Sequence, residues 1–178
     1  EPVAVLNPDA DAYYEEVFEI DLSEIRPIVA KPHFVDNVVP AEECSGIPVD
    51  EAFLGSCNNG RIEDLRVGAE LLRGRKVADS VRFLVVPASR AVYEEALREG
   101  LLKIFMDAGA IVMNPNCSVC WGSCQGVIGE GETLISTGTR NFKGRSGHKD
   151  SYVYLASAAT VTASAVKGVI CTAESLTK

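Results

Sequence analysis

Polar and apolar side chains alternate over 15–22, where Val17, Phe18, Ile20 and Leu22 predict a strand leading into the turn-prone Ser23-Glu24. Prolines at 27, 32, 40 and 48 then forbid a long helix, so 26–48 is expected as an extended, irregular wrap. From 51 the pattern becomes regular. Glu51-Ala52-Phe53-Leu54 predicts a short buried strand ended by Gly55. Ile62, Leu65, Ala69 and Leu72 then recur at helical spacing, backed by Glu63, Asp64, Arg66, Glu70 and Arg73, until Gly74 stops the helix. The cycle repeats with an apolar strand at 81–86, a helix from a Ser89 cap to about 98, a shorter one at 101–108 and a strand at 110–113. Beyond a cysteine-rich loop come strands at 133–136 and 152–155, then an Ala-rich helix from 157 to about 167.

Alternation of strand and helix predicts an α/β domain whose mainly parallel sheet carries helices on both faces, a three-layer arrangement. The 178 residues are expected as a single domain, with 1–50 as the irregular wrap and 51–178 as the α/β core. In such sheets ligands bind beyond the C-terminal ends of the strands. Both cysteine regions follow predicted strands directly, so Cys57 and the loop at Cys117, sixty residues on, are expected at one rim.

Composition narrows the partners. A net charge of -8 with no run of Lys or Arg excludes a duplex nucleic acid. Nothing approaches 18 consecutive apolar residues, and no basic segment followed by an apolar one opens the chain, so no membrane span or leader is expected. The start at Glu1, running at once into Pro2-Val3-Ala4-Val5-Leu6, suggests one piece of a longer polypeptide.

Three of the six cysteines, Cys117, Cys120 and Cys124, crowd one loop, which favours metal or cluster ligation in a reducing cytoplasm over a disulfide scaffold. Cys117-Ser118-Val119-Cys120 is a CxxC, suited to zinc, an iron-sulfur cluster or a dithiol redox pair. A second CxxC or a His pair, which zinc would ordinarily require, is missing; Cys124 and Cys57 both remain possible third ligands. Cys57 falls between a strand and a helix start, where free N–H groups and the helix dipole favour a thiolate; the plainer alternative is a buried structural cysteine. Further on, Thr139-Arg140-Asn141-Phe142-Lys143-Gly144-Arg145 gathers cations in an acidic chain, and paired guanidinium forks suit the carboxylates of a small substrate better than a solvated loop does. His33 and His148 are expected as structural or surface residues. Gly126 through Gly131 lacks the phosphate-loop pattern and carries repelling glutamates.

At these residues the sequence resembles the aconitase superfamily, within it the branch of 3-isopropylmalate dehydratase and homoaconitase large subunits. The likeness covers most of the chain. It rests on Phe53-Leu54-Gly55-Ser56-Cys57-Asn58-Asn59-Gly60-Arg61-Ile62-Glu63-Asp64-Leu65-Arg66, the step to Cys117-Ser118-Val119-Cys120, Arg140-Asn141-Phe142-Lys143-Gly144-Arg145 and the terminal Ala-rich helix. The resemblance implies the third of four domains, a 4Fe-4S cluster held by Cys57, Cys117 and Cys120, and substrate carboxylates received by Arg140 and Arg145. It implies a cytoplasmic hydro-lyase acting on a hydroxy di- or tricarboxylate, isopropylmalate first, as in leucine biosynthesis, with homoaconitate, aconitate or dimethylmalate as alternatives; the alternative from a different class is a non-catalytic metal-binding structural module. As partners it implies the remaining large-subunit domains and a small subunit carrying the swivelling fourth domain and the catalytic base, so no catalytic acid or base is expected here. Asn58 stands where the family usually has Thr, Ser118-Val119 where it has Gly-Pro, and Thr139 where it has Asn; ligand identity survives, while the surrounding hydrogen bonds do not carry over.

Overall fold

The computed structural model describes residues 6–177. Its strands are β1 (Ile28–Ala30), β2 (Val38–Pro40), β3 (Glu51–Gly55), β4 (Arg82–Val86), β5 (Ile111–Val112), β6 (Thr133–Ser136) and β7 (Tyr152–Leu155). Its helices are α1 (Ser56–Asn59), α2 (Ile62–Leu72), α3 (Arg90–Arg98), α4 (Leu101–Ala108) and α5 (Ala158–Lys167). Local chemistry sets several boundaries. Ser89 Oγ accepts from Val92 N at 3.3 Å to start α3, and Ser157 Oγ accepts from Thr160 N at 3.3 Å to start α5. Gly109 and Gly168, both left-handed, end α4 and α5.

The sheet runs β2-β1-β7-β6-β3-β4-β5. β3 to β7 are mutually parallel, and β1 joins β7 antiparallel and carries β2 as a hairpin on the outer edge. From β3 the chain steps outward to β4 and β5, then returns past β3 to β6 and β7. The strand order therefore reverses between β3 and β6, and a crevice is expected beyond their C-terminal ends.

One face of the sheet is helical. Ala52, Leu54, Phe83, Val85 and Ile135 pack there with Ile62, Leu65, Ala69 and Leu72 of α2, Leu102 and Phe105 of α4 and Val161 and Ala165 of α5. Phe83 and Phe105 meet edge to face, centroids 6.3 Å apart, and each such buried side chain contributes roughly 1.5–3 kcal/mol. The other face, Phe53, Leu84, Val86, Leu134 and Val153, is covered by Val119 and Ile128 of the loop over 113–132.

The α/β class and the mainly parallel sheet agree with expectation; the expected helical layer on the second face is instead this loop. Crossovers β3–α2–β4 and β4–α3–α4–β5 step in the same direction, so right-handedness places both on one face. The return crossover runs the other way, and its Pro115, Gly122, Gly126, Gly129 and Gly131 support no helix. Residues 26–48 are not wholly irregular, since β1 and β2 extend the sheet. The strand expected over 15–22 is absent: residues 6–26 are all exposed, with only a turn of 3-10 helix at Leu22–Glu24.

Candidate functional site

All five sequence-predicted residues lie on segments that leave the C-terminal ends of parallel strands: Cys57 after β3, Cys117 and Cys120 after β5, Arg140 and Arg145 after β6. At Gly55 and Gly60 the turn carrying Cys57 presses on β4, where a Cβ at either position would stand 2.4 Å from Val86 O. Only glycine permits that approach. Buried Ser56 between them takes φ 69°, a left-handed conformation uncommon outside glycine, and Cys57 is exposed just beyond it. Cys57 does not open the long helix, as expected from sequence. It occupies the separate single turn α1, and α2 starts afresh beyond Gly60 with Asp64 Oδ2 accepting from Arg61 N at 3.2 Å.

The CxxC is a 3-10 turn pinned from beneath. Ser118, again buried with a positive φ of 43°, receives a bond from neither cysteine; its N–H donates to Asn116 Oδ1 at 2.5 Å and its hydroxyl to Gln125 O at 2.9 Å. Val119 is fully buried against the sheet. With these two residues turned inward, Cys117 is left exposed and Cys120 half-buried. Two strained serines beside the cysteines are what a site held open by its surroundings would show.

Hydrogen bonds join the three segments. Thr137 N donates to Phe53 O at 2.9 Å, Gly55 N donates to Thr137 Oγ1 at 2.9 Å, and Asn59 Nδ2 donates to Thr137 O, tying the start of the arginine loop to the Cys57 turn. Arg145, half-buried, donates its Nε to Cys120 O at 2.9 Å. Behind it, a Cβ at Gly122 would stand 2.0 Å from Arg145 O, so the cysteine and arginine loops are in backbone contact. Arg140 is exposed, its Nη1 on Thr139 O at 2.6 Å. Asn141, between the arginines, is buried and donates Nδ2 to Lys31 O and Phe34 O at 2.8 and 3.2 Å. Beside Thr137 and Gly138 a pocket of about 270 Å³ opens between polar Asn59 and apolar Ile28, Ala30 and Leu155; none of the candidate cysteines or arginines lines it.

Thr137 and Asn141 were not singled out from sequence; the sole signal was their place in the loop leaving a strand, beside Gly138 and the arginines. Asn59, part of the sequence motif around Cys57, is the bridge to Thr137. His148 is structural: Nδ1 accepts from Asp150 N at 3.2 Å. His33 stacks on Tyr152 with centroids 6.0 Å apart.

Six free thiols are present, Cys57, Cys117 and Cys124 exposed, Cys120 half-buried, and Cys44 and Cys171 buried. Among the described residues no group of three His, Cys, Asp or Glu side chains is placed to hold a metal ion. An iron-sulfur cluster makes a different demand, because each thiolate binds its own iron and the ligands stand apart. Soft thiol donors on two loops of one rim fit that demand in chemistry. Among the described residues no helix is long and apolar enough to cross a membrane.

Comparison with known proteins adds relatives of consistent description. The profile of the Aconitase family (aconitate hydratase) matches residues 40–168, a stretch containing all five candidates. The chain is 54% identical over 169 residues to a probable 3-isopropylmalate dehydratase large subunit of Methanothermobacter thermautotrophicus, covering 95% of this chain and 40% of that protein. It is 52% identical over 165 residues to 3-isopropylmalate dehydratase large subunit 1 of Methanopyrus kandleri, covering 93% and 40%. With the 3-isopropylmalate dehydratase large subunit of Caldicellulosiruptor saccharolyticus it shares 48% over 176 residues, 98% of this chain and 41% of that protein. The chain thus spans about two fifths of the length of these curated relatives.

Proposed function

Because this chain belongs to the aconitase family, we propose that it is the cluster-bearing domain of a longer hydro-lyase large subunit acting on a hydroxy dicarboxylate of the isopropylmalate type. The observation that carries this reading is the bond from Arg145 Nε to Cys120 O: a residue suited to carboxylates is anchored on the loop suited to iron. Cys57, Cys117 and Cys120 would hold a 4Fe-4S cluster. Such a cluster supplies Lewis acidity toward the substrate's leaving hydroxyl.

The chain's own residues then bind and orient. With Nε held on Cys120 O, Arg145 keeps its two Nη nitrogens for one carboxylate; Arg140, with Nη1 on Thr139 O, keeps Nε and Nη2 for another. Thr137 and Asn59 fix the distance between the Cys57 turn and these cations. The catalytic base and the cover that excludes water come from elsewhere, from the rest of the large subunit and from a small subunit, the partner that the relatives' description as large subunits supports. Six free thiols suit a reducing, cytoplasmic setting.

Anaerobic reconstitution with iron and sulfide tests the ligand set. Cys57→Ser, Cys117→Ser and Cys120→Ser each lose the cluster absorbance and most bound iron, while Cys124→Ser keeps them. Normal iron and sulfide in Cys57→Ser would overturn the assignment.

A further inference from the structure

Residues 6–26 are exposed throughout, yet they are rich in large apolar side chains: Tyr13 is 90% exposed, Val17 74%, Phe18 75%, Ile20 71% and Leu22 77%. A soluble surface seldom leaves so long an apolar run uncovered without a partner for it. Over 18–22 the side chains alternate, with Phe18, Ile20 and Leu22 on one side of an extended chain and Glu19 and Asp21 on the other, the side on which Val17 also falls. Among the described residues, the backbone N–H groups of 13–20 donate to no other backbone group. The apolar exposure continues onto the sheet edge that the segment runs into, at Ile25, Ile28, Phe34, Val35 and Val38.

The relatives indicate where a partner would come from. The match to the Caldicellulosiruptor saccharolyticus large subunit covers 98% of this chain, so it reaches into this segment, and it leaves about three fifths of that protein's length outside. The segment has no Lys or Arg before Arg26 and carries Glu15, Glu16, Glu19, Asp21 and Glu24, so the surface that receives it is complementary if basic.

We infer that residues 15–22 are a β-strand awaiting its sheet: they add to an edge strand in the part of the large subunit outside this chain, laying Phe18, Ile20 and Leu22 on an apolar face and Glu19 and Asp21 toward basic side chains. This rests on the reading that the chain is one part of a longer subunit. It explains why the alternating pattern is clear in the sequence and unrealised in the isolated chain, since a strand without a neighbour leaves its backbone groups to water.

The test is amide hydrogen exchange followed by mass spectrometry, on the 178-residue chain and on the full-length Methanothermobacter thermautotrophicus subunit with its matching stretch replaced by this chain. Peptides covering 15–22 exchange at the unstructured rate in the first and at least about tenfold more slowly in the second. Phe18→Ser with Ile20→Ser abolishes that protection while β3 and β4 stay protected, which separates a lost contact from a lost fold. Should the chimera fail to fold, exchange is measured on the same peptides of the parent Methanothermobacter subunit instead. Fast exchange in the longer protein overturns the inference. So does slow exchange in the 178-residue chain accompanied by a dimer mass, which would make a second copy the occupant. Neither readout depends on iron or turnover, so a failure here leaves the cluster assignment standing, and the reverse holds too.

Discussion

Glu51→Gln should change the pH dependence of stability while leaving the candidate site alone. Glu51 opens β3 at the end of the sheet opposite the cysteines and is 1% exposed. Its Oε2 accepts from Arg82 Nε at 3.0 Å, but Oε1 has no partner, and Arg82 gives both Nη nitrogens to Glu132 at 3.0 and 2.7 Å. Burial outweighs the attraction of Arg82 and pushes the carboxyl up from 4.5 to about 7. Between those values the folded chain binds more protons than the unfolded one, so stability falls as pH rises through the window and stays low above it. At about 1.36 kcal/mol per pH unit the loss is on the order of 3 kcal/mol. Glu132, Glu99 and Asp150, whose carboxyls their cationic partners hold below the ordinary range, contribute stability that disappears only as pH falls below that window. Glu51→Gln keeps the shape and removes the titration. Urea unfolding followed by far-ultraviolet circular dichroism at intervals from pH 4.5 to 8 should show the variant gaining on the parent by up to about 3 kcal/mol across the series. Profiles that stay parallel within about 0.5 kcal/mol would refute the assignment of this loss to Glu51.

Two further outcomes are expected. In a complete assembled enzyme, Arg145→Lys and Arg140→Lys should each lower kcat/KM by roughly ten- to a hundredfold, since lysine keeps the charge and loses the planar fork; activity within twofold of the parent with iron content unchanged would reduce the loop to a solvated basic turn. Gly122→Ala and Gly131→Ala both place a side chain at a positive φ, 73° and 74°, but only the first meets backbone, 2.0 Å from Arg145 O, whereas the second meets nothing within 4 Å. By urea unfolding, Gly122→Ala should cost at least about 1 kcal/mol more than Gly131→Ala, and equal costs would show that the two loops are not in contact.

Where apolar periodicity and burial coincide, the sequence was legible. Strands β3, β4, β6 and β7 and helices α2 to α5 fall within a residue or two of their expected bounds, because each buries its own apolar stripe and several carry their own start or stop, such as Ser89 at the start of α3 and Gly109 and Gly168 at the ends of α4 and α5. Over 15–22 the same period-2 signal misled, because alternation says which side of a strand is apolar and nothing about whether a neighbour is present to pair with it. β1 and β2 went unseen for the opposite reason: these three-residue strands among prolines are decided by the pairing of β1 with distant β7 and of β2 with β1, contacts with no local signature. The coating of the second face by a loop follows from the direction of the crossovers, a property of strand order that periodicity does not encode. At the site, residue types announced the thiols and guanidinium groups. The supports did not announce themselves: Thr137 and Asn141 are ordinary loop residues until Gly55 and Lys31 are brought beside them.

The Thr137 bridge also sets a schedule for synthesis. It ties Thr137 to Gly55 across 82 residues, which a ribosome adding about 5–20 residues per second takes roughly 4–16 s to deliver. During that interval β3 has left the decoding centre without β6, the neighbour on one of its two edges, and the turn at Cys57 lacks the bonds that hold it. Anything Cys57 is to share with Cys117 or Cys120 must wait until residue 120 has been made, and until residue 137 follows, the Cys57 turn meets any oxidant present without the bonds to Thr137 that hold it.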